Sequence, residues 1–545
     1  MPRRALPSPL LLLTGFLTAA GVYLFFLEPW GHDTWFHLQR LQDIEHQFQW
    51  GHLRAHFAEN AAQGKGLPVW IFYSQWVYWP ALILTSLGVG PLIALKLIYC
   101  ASLALCSVGC YRLLRLHTGE KEAGFGTLLF MTSNYVIGEV FQRSAYAEFL
   151  SVALLPLLLV ALHRTVRHGD RKSDTAFALL ASLMILFHPL SFMNSGVILV
   201  AYALFIAVAG RMTFLQLLRG VPPFALALGL TAFYWLPAVI ETRYVMGGEG
   251  ARTPLSDTFL SIGSYLNFSG ITNLGFVLSL MAPVVAGYLL LRARFPDARQ
   301  ERSSWPLAVA ILIYLFLTLR ISEPLYAAFS FLAANLWVWR VLFQMTLLVV
   351  ILVIVNLGVL PQRLRSNFAR TAIAGLAILQ AVALVLWNTA SELSTRHIGR
   401  QEIEEQVAVE SRRVGDFGID EYLPNPRMPP RLSEGCPAVR SVSPGGRYEM
   451  RIAIAAADAN ACIHVSRYWN TRYAAWIDSE ETPVYADADG EILLAPAGRA
   501  GQLTLRFTQP PYVKLATLLS VIAVILLVIG VLRKRGTAKD PQAAT

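Results

Sequence analysis

The sequence predicts a polytopic α-helical membrane protein that carries a small, mainly-β domain outside the bilayer. Three observations predict it. Of 545 residues, 55% are apolar and only 15% are charged, with a mean hydropathy of +0.49; a soluble domain has about 25% charged residues. The apolar residues gather into runs of membrane-crossing length. One polar stretch, 391–511, interrupts them before the last run. This composition excludes a disordered tail, a nucleic-acid arm and an ordinary cytosolic enzyme.

A membrane helix needs about 20 mostly apolar residues. Runs that meet or approach this are 8–27, 91–111, 122–138, 146–163, 174–190, 193–209, 221–240, 274–291, 305–319, 340–360, 371–390 and 512–532, about twelve spans in all. The first resembles a signal peptide, with Pro2-Arg3-Arg4 before it. It is long and no A-x-A site follows, so it reads as an uncleaved first span. Residues 76–89 also look like a span. Counting them would place the Arg112 cluster outside and reverse the spans that follow. They read instead as a helix lying in the outer interface, rich in Trp and Tyr.

Lys and Arg in the loops set the orientation. With the N-terminus inside, the inner segments hold 22 of them and the short outer loops eight: Arg40, Arg54, Lys65, Arg143, Arg243, Arg252, Arg320 and Arg340. Both termini are therefore expected in the cytoplasm. Residues 1–390 form the transmembrane domain, with a first outer loop at 28–90. Residues 391–511 form the outer domain, and 512–545 the last span and a basic tail.

The outer domain opens with a charged helical stretch near 396–413. After Pro-rich 424–430 it becomes strand-like at 447–455, 462–469, 474–478, 483–485, 491–494 and 502–507, with turn signals SPGG, DADG and PAG between. A small β-sandwich is the natural reading. Residues 391–511 hold 13 Arg, no Lys and 17 acids, so the formal +10 of the chain sits on its membrane part. Cys100, Cys106 and Cys110 lie in an apolar run and read as small hydrophobes. Cys436 and Cys462 lie in the polar domain, where an oxidising compartment would allow a disulfide.

Ionisable groups at membrane depth are rare and usually functional. Asp33, His37 and Arg40 follow the first span at i, i+4 and i+7, one helical face. An acid and a His there can serve as base, metal ligand or phosphate contact; the same pattern also suits a solvated interfacial helix. Glu148 falls just inside an apolar run and needs a partner. Arg143 is close enough in sequence, as substrate contact or as plain ion pair. His188, before Pro189, reads as ligand or as polar cap. Glu241 ends the seventh span. Arg340 follows Trp337-Val338-Trp339 and could hold a phosphate or anchor the helix. All of these fall on one face of the expected topology, which implies one extracytoplasmic cavity.

At these residues the chain resembles the GT-C glycosyltransferase architecture. More closely, it is similar to bacterial membrane proteins labelled 6-pyruvoyl-tetrahydropterin synthase-related and to their YfhO-like relatives. The matching stretches are Asp33-x3-His37-x2-Arg40, Phe72-Tyr73, Arg143-Ser144-Ala145-x2-Glu148 with Pro156, Leu236-Pro237-x3-Glu241, Trp339-Arg340 and Glu421-Tyr422-Leu423-Pro424. In the outer domain, Tyr468-Trp469, Trp476-Ile477-Asp478 and Pro496-Ala497-Gly498 resemble the YfhO-like terminal domain. A twelve-span chain has no evident place for soluble pterin chemistry.

The resemblance implies transfer of a sugar from a polyprenyl-phosphate-linked donor to an envelope glycan or lipid acceptor, at the outer face of a bacterial inner membrane. Asp33 would be the catalytic acid residue, with Glu148 as a second. His37, Arg40, Arg143, His188, Glu241 and Arg340 would bind substrate. A divalent metal, Mg or Mn, at Asp33 is the cofactor to consider, although no Asp-Asp or Asp-x-Asp pair stands in the first loop. The partners expected are the bilayer, the lipid-linked donor and the acceptor, with no nucleic acid. The alternative is a non-catalytic subunit of a polysaccharide assembly or export system, or a lipid-linked saccharide transporter.

Overall fold

The computed structural model describes residues 33–246 apart from Asn60, then 254–261, 304–329, 337–357, 422–432, 436, 439–443 and 448–532, with scattered residues at 13–21 and 370–385. The expected span at 274–291, most of those at 8–27 and 371–390, the helical stretch at 396–413 and the basic tail lie outside the described residues.

Among the described residues five helices are long and apolar enough to cross a membrane: Pro91–Arg115, Tyr146–His168, Pro189–Gly210, Val338–Val355 and Pro511–Leu532. A sixth results if Phe214–Leu230 and Ala232–Tyr244, bent by 71°, count together. Trp305–Thr318, at 14 residues, is apolar but shorter, and Arg171–Phe187, at 17, opens on a charged first turn. The segment at 76–89 gives a turn at Gln75–Tyr78 and a helix at Trp79–Ser86. Eight residues rise about 12 Å, far short of the hydrocarbon core.

Local chemistry explains the helix ends. Pro91, Pro189 and Pro306 stand in first turns, where a missing N–H costs nothing. The Asp170 side chain accepts from the Ser173 N–H at 3.0 Å and caps Arg171–Phe187. The break at Thr231 frees backbone donors. The Ser520 hydroxyl accepts from Phe233 N at 2.9 Å and donates to Gly229 O at 2.9 Å, so the last helix closes the break.

Tyr146–His168 packs between Pro91–Arg115 and Arg171–Phe187. Its apolar stretch is 89% buried within the protein, against 17% for Pro511–Leu532. The first is a central helix. The second turns Leu515, Leu518, Ile522, Ile525 and Leu526 outward, which is a face for lipid.

The expected continuous span at 122–138 is corrected. Glu120–Met131 stops at Thr132, Asn134–Ile137 restarts the helix, and Gly138–Arg143 is a π turn. Ser144 then takes a left-handed φ of 54°, rare without glycine. Such π turns concentrate at functional sites.

Among the described residues the β-domain is a sandwich of two four-stranded sheets. One has the order β1 (Val439–Val442), β3 (Cys462–Tyr468), β7 (Glu491–Leu494), β6 (Val484–Ala486). The other has the order β2 (Glu449–Ile454), β8 (Gly501–Phe507), β4 (Tyr473–Ile477), β5 (Glu480–Thr482). Strand alternation sends Ile452, Leu503, Leu505 and Ile477 inward against Ile463, Val465, Ile492 and Leu494. Cys436 is bonded to Cys462 and ties the approach to β1 to the start of β3, its parallel neighbour.

This sandwich is fastened to the helical part. Phe57 of the first loop is fully buried and belongs to the β core. Its burial favours the closed arrangement by about 1.5–3 kcal/mol. Arg467 of β3 makes a buried ion pair with Glu59 and donates to the Tyr473 hydroxyl at 2.8 Å. The backbone Met246 N donates to Leu423 O at 2.9 Å, and Asn425 N to Tyr244 O at 2.9 Å.

Candidate functional site

The π turn decides the site. It lets Arg143 reach three acids at once. Its Nη1 meets Glu139 and stands 3.2 Å from Glu148 Oε2; its Nη2 stands 3.5 Å from Asp33 Oδ2. The Arg143 carbonyl also accepts from the Asp33 N–H at 2.7 Å, so backbone and side chain together tie the first loop to this turn. Arg340 Nε approaches Glu148 Oε2 at 3.2 Å from the far side. The Tyr135 hydroxyl lies 3.4 Å from both Glu148 Oε1 and Arg340 O. The Trp339 ring lies 4.6 Å from the Arg143 guanidinium, a cation–π contact.

Exposure separates the acids. The Glu139 and Glu148 side chains are 2% and 5% exposed, Asp33 24% and Arg143 21%. Asp33 is the acid a substrate can meet first. The buried acids hold Arg143 from below, and removing either would leave a guanidinium short of a counter-charge in a dry place.

Of the other expected residues, His37, Arg40 and His188 stand near the cluster and Glu241 does not. His37 lies beside the cluster, but both its ring nitrogens are used within the protein. The Tyr146 N–H donates to Nε2 at 3.0 Å, so Nδ1 carries the proton and donates to the Tyr78 hydroxyl at 2.8 Å. Burial pushes its pKa down to about 3, so the ring is neutral. It positions the first loop and leaves no nitrogen for a ligand. Arg40 is buried in a cage of Phe36, Trp70, Tyr73 and Tyr422, with ring centroids 4.6–5.8 Å from the guanidinium. Tyr73 feels Arg40, Asp33 and Arg340 together, which places the cage next to the cluster.

His188 caps the helix Pro189–Asn194. Its Nδ1 accepts from the Ser191 N–H at 3.2 Å and pairs with the Ser191 hydroxyl at 2.8 Å. Of the two readings of His188, the structure shows the cap, made through Nδ1 and lying near Glu148. Glu241 is corrected outright. It is fully buried, takes Arg472 Nε at 2.8 Å and Nη2 at 2.5 Å, and accepts from the Tyr512 hydroxyl at 3.1 Å. It joins the sandwich to the membrane part.

Sequence reading missed Glu139 and Tyr135. An acid four residues before Arg143 at the end of an apolar run was the available signal for Glu139. Tyr135 left none. For a divalent metal the donor set does not fit. Among the described residues no group of three or more His, Cys, Asp and Glu could hold one. The three acids near Arg143 surround a guanidinium that fills the place of a cation.

Apolar helices of crossing length around a buried charge cluster define the class: a multi-pass membrane protein with a polar site at one end of its helices. Within that class the chain belongs to the 6-pyruvoyl-tetrahydropterin synthase related family of membrane proteins, whose model matches residues 75–393. Arg143, Glu148 and Arg340 lie inside that match; Asp33, most of the first loop and the sandwich lie outside it. Comparison with curated proteins gives no match. Among solved structures, the chain is similar to the arabinofuranosyltransferase AftD from Mycobacteria, at 17% identity and a TM-score of 0.46, over 73% of this chain and 27% of that one. It is also similar to the archaeal oligosaccharyltransferase AglB from Archaeoglobus fulgidus, at 14% identity and a TM-score of 0.39, over 78% and 62%. The chain thus spans about a quarter of the first and under two thirds of the second. Neither likeness is close enough to carry an activity across.

Proposed function

We propose that the chain is a GT-C-type membrane glycosyltransferase. It transfers a sugar from a polyprenyl-phosphate-linked donor to an envelope glycan or lipid acceptor, on the extracytoplasmic side of a bacterial inner membrane, with both termini in the cytoplasm. The observation that carries the reading is the Asp33 carboxylate, about a quarter exposed, held 3.5 Å from Arg143 at the mouth of the buried cluster.

Breaking a glycosyl-phosphate bond leaves negative charge on the leaving oxygen, and the acceptor hydroxyl must lose a proton. Asp33 takes that proton as general base. Arg143, stacked on Trp339, faces the leaving phosphate and stabilises its charge. Arg340 holds Glu148, and Glu148 with Glu139 fixes the Arg143 guanidinium. No step needs a metal. A lipid tail lies between helices, while the sugar stays at the polar end.

The test is transfer of radiolabelled sugar from a panel of polyprenyl-phosphate sugars in membranes with and without the chain. Transfer that depends on the chain is expected. No chain-dependent transfer from any donor would turn the reading toward an assembly subunit.

A further inference from the structure

The sheet β2–β8–β4–β5 has a second face, turned away from the sandwich core. Register sets who stands there. Arg451 and Trp476 both pair with Thr504, so the three form one row across β2, β8 and β4. Arg506 stands one step along β8 and Gln502 one step the other way, next to Asp478. These six residues line a concavity of about 280 Å³. Small-ligand pockets run from about 300 Å³ upward, so this one suits a sugar ring or two rather than a long apolar segment.

Its rim is fixed. Asp478 sits at a left-handed φ of 53°. Its Oδ1 accepts from the Gln502 N–H at 2.9 Å, and its Oδ2 lies over Gly501, so the carboxylate is held in place. The arginines are held too. Glu449 takes Arg451 at 2.6 Å and Arg506 at 2.7 Å. Asp478 and Glu481, which pairs with Trp476 from β5, bring the acids on this face to three against the two arginines. The face is therefore rich in directional donors and acceptors but carries no excess of cations. A polyanion would want an excess of cations. A peptide helix would want a broad apolar stripe. A single half-buried indole with a planar amide, guanidinium groups, a hydroxyl and a carboxylate around it meets neither need.

It meets the needs of a sugar. The C–H face of a pyranose lies on an indole, and its ring hydroxyls need close, fixed polar partners. We infer that this face of the β-domain binds an uncharged saccharide, a pyranose unit of a glycan chain stacked on Trp476. The site is separate from the Arg143 cluster, and its occupancy does not require transfer.

The experiment uses the full-length chain in lipid nanodiscs on an array of immobilised oligosaccharides. Neutral hexose, pentose and N-acetylhexosamine chains stand beside uronic-acid chains. Retention of at least one neutral class is expected, nearly unchanged between low and high salt. Trp476→Ala is expected to weaken it on the order of 10–30-fold, the usual cost of removing an aromatic anchor. Gln502→Ala, at an exposed position, is expected to weaken it several-fold and carries the test alone if Trp476→Ala fails to fold. Asp33→Asn is expected to bind as the wild type does, so loss of transfer and loss of glycan binding are read apart. Four results would each overturn the inference: no neutral chain retained, retention untouched by either variant, a preference for uronic acids that salt abolishes, or Trp476→Ala changing only self-association of the chain.

Discussion

Asp43 lies on the same helix, Thr34–Gln49, that begins just after Asp33, and its environment makes a quantitative demand. It is buried, and the Trp70 indole N–H donates to it at 2.5 Å. Burial outweighs that bond and the nearby Arg40, and raises its pKa from 3.8 to about 7. The folded carboxyl therefore holds a proton that the unfolded chain has released between those values. The sign follows: stability of this region is fully present below about pH 4, falls as pH rises to about 7, and is flat above. About three pH units at about 1.4 kcal/mol each give a loss of about 4 kcal/mol. Asp43→Asn keeps the acceptor for Trp70 and does not titrate. The assay is hydrogen exchange of the helix amides in nanodiscs from pH 4 to pH 8, corrected for intrinsic exchange rates. The wild type should lose protection relative to Asp43→Asn across that range, by about three orders of magnitude at most. A wild-type-to-variant difference that does not change with pH would refute the reasoning.

Three further outcomes follow from the same physics. Arg467→Met leaves Glu59 buried without its counter-charge and should cost about 3–5 kcal/mol in attachment of the sandwich; Glu59→Gln added to it should recover much of that, and a double variant no better than the single would contradict the pairing. A non-reducing mass map should show Cys436 joined to Cys462, and reduction should loosen the sandwich by about 3–4 kcal/mol on loop entropy; two free thiols in the native protein would contradict it. Cysteine labelling from outside should reach an introduced Cys at position 270 but not at 168 or 297, and labelling at 168 would reverse the orientation.

The helices were legible because hydropathy is local. The run at 91–111 became Pro91–Arg115 and that at 146–163 became Tyr146–His168, since each contains its own driving force. The link from Arg143 to Glu148 was legible for the same reason, five residues apart. What failed was long-range pairing. Glu241 looked like a site acid because its partner, Arg472, stands 231 residues away on a strand. His37 looked available because nothing local shows that Tyr78 and the Tyr146 amide take both nitrogens. The π turn at Gly138–Arg143 has no sequence signature, yet it alone aims Arg143 at Asp33. Phe57, an apolar residue in a polar loop, gave no hint that it completes a β core.

The central claim is that Asp33 takes the acceptor proton while Arg143 faces the leaving phosphate, and one comparison tests it most directly. Transfer is measured in membranes bearing equal amounts of wild type and Asp33→Asn, with protection of the helix Thr34–Gln49 measured alongside. The variant keeps size and the Arg143 contact but cannot accept a proton. Transfer is expected to fall about 10²–10⁴-fold with the helix still protected. Transfer near the wild-type rate, by an equally abundant and equally protected Asp33→Asn protein, would contradict the catalytic role.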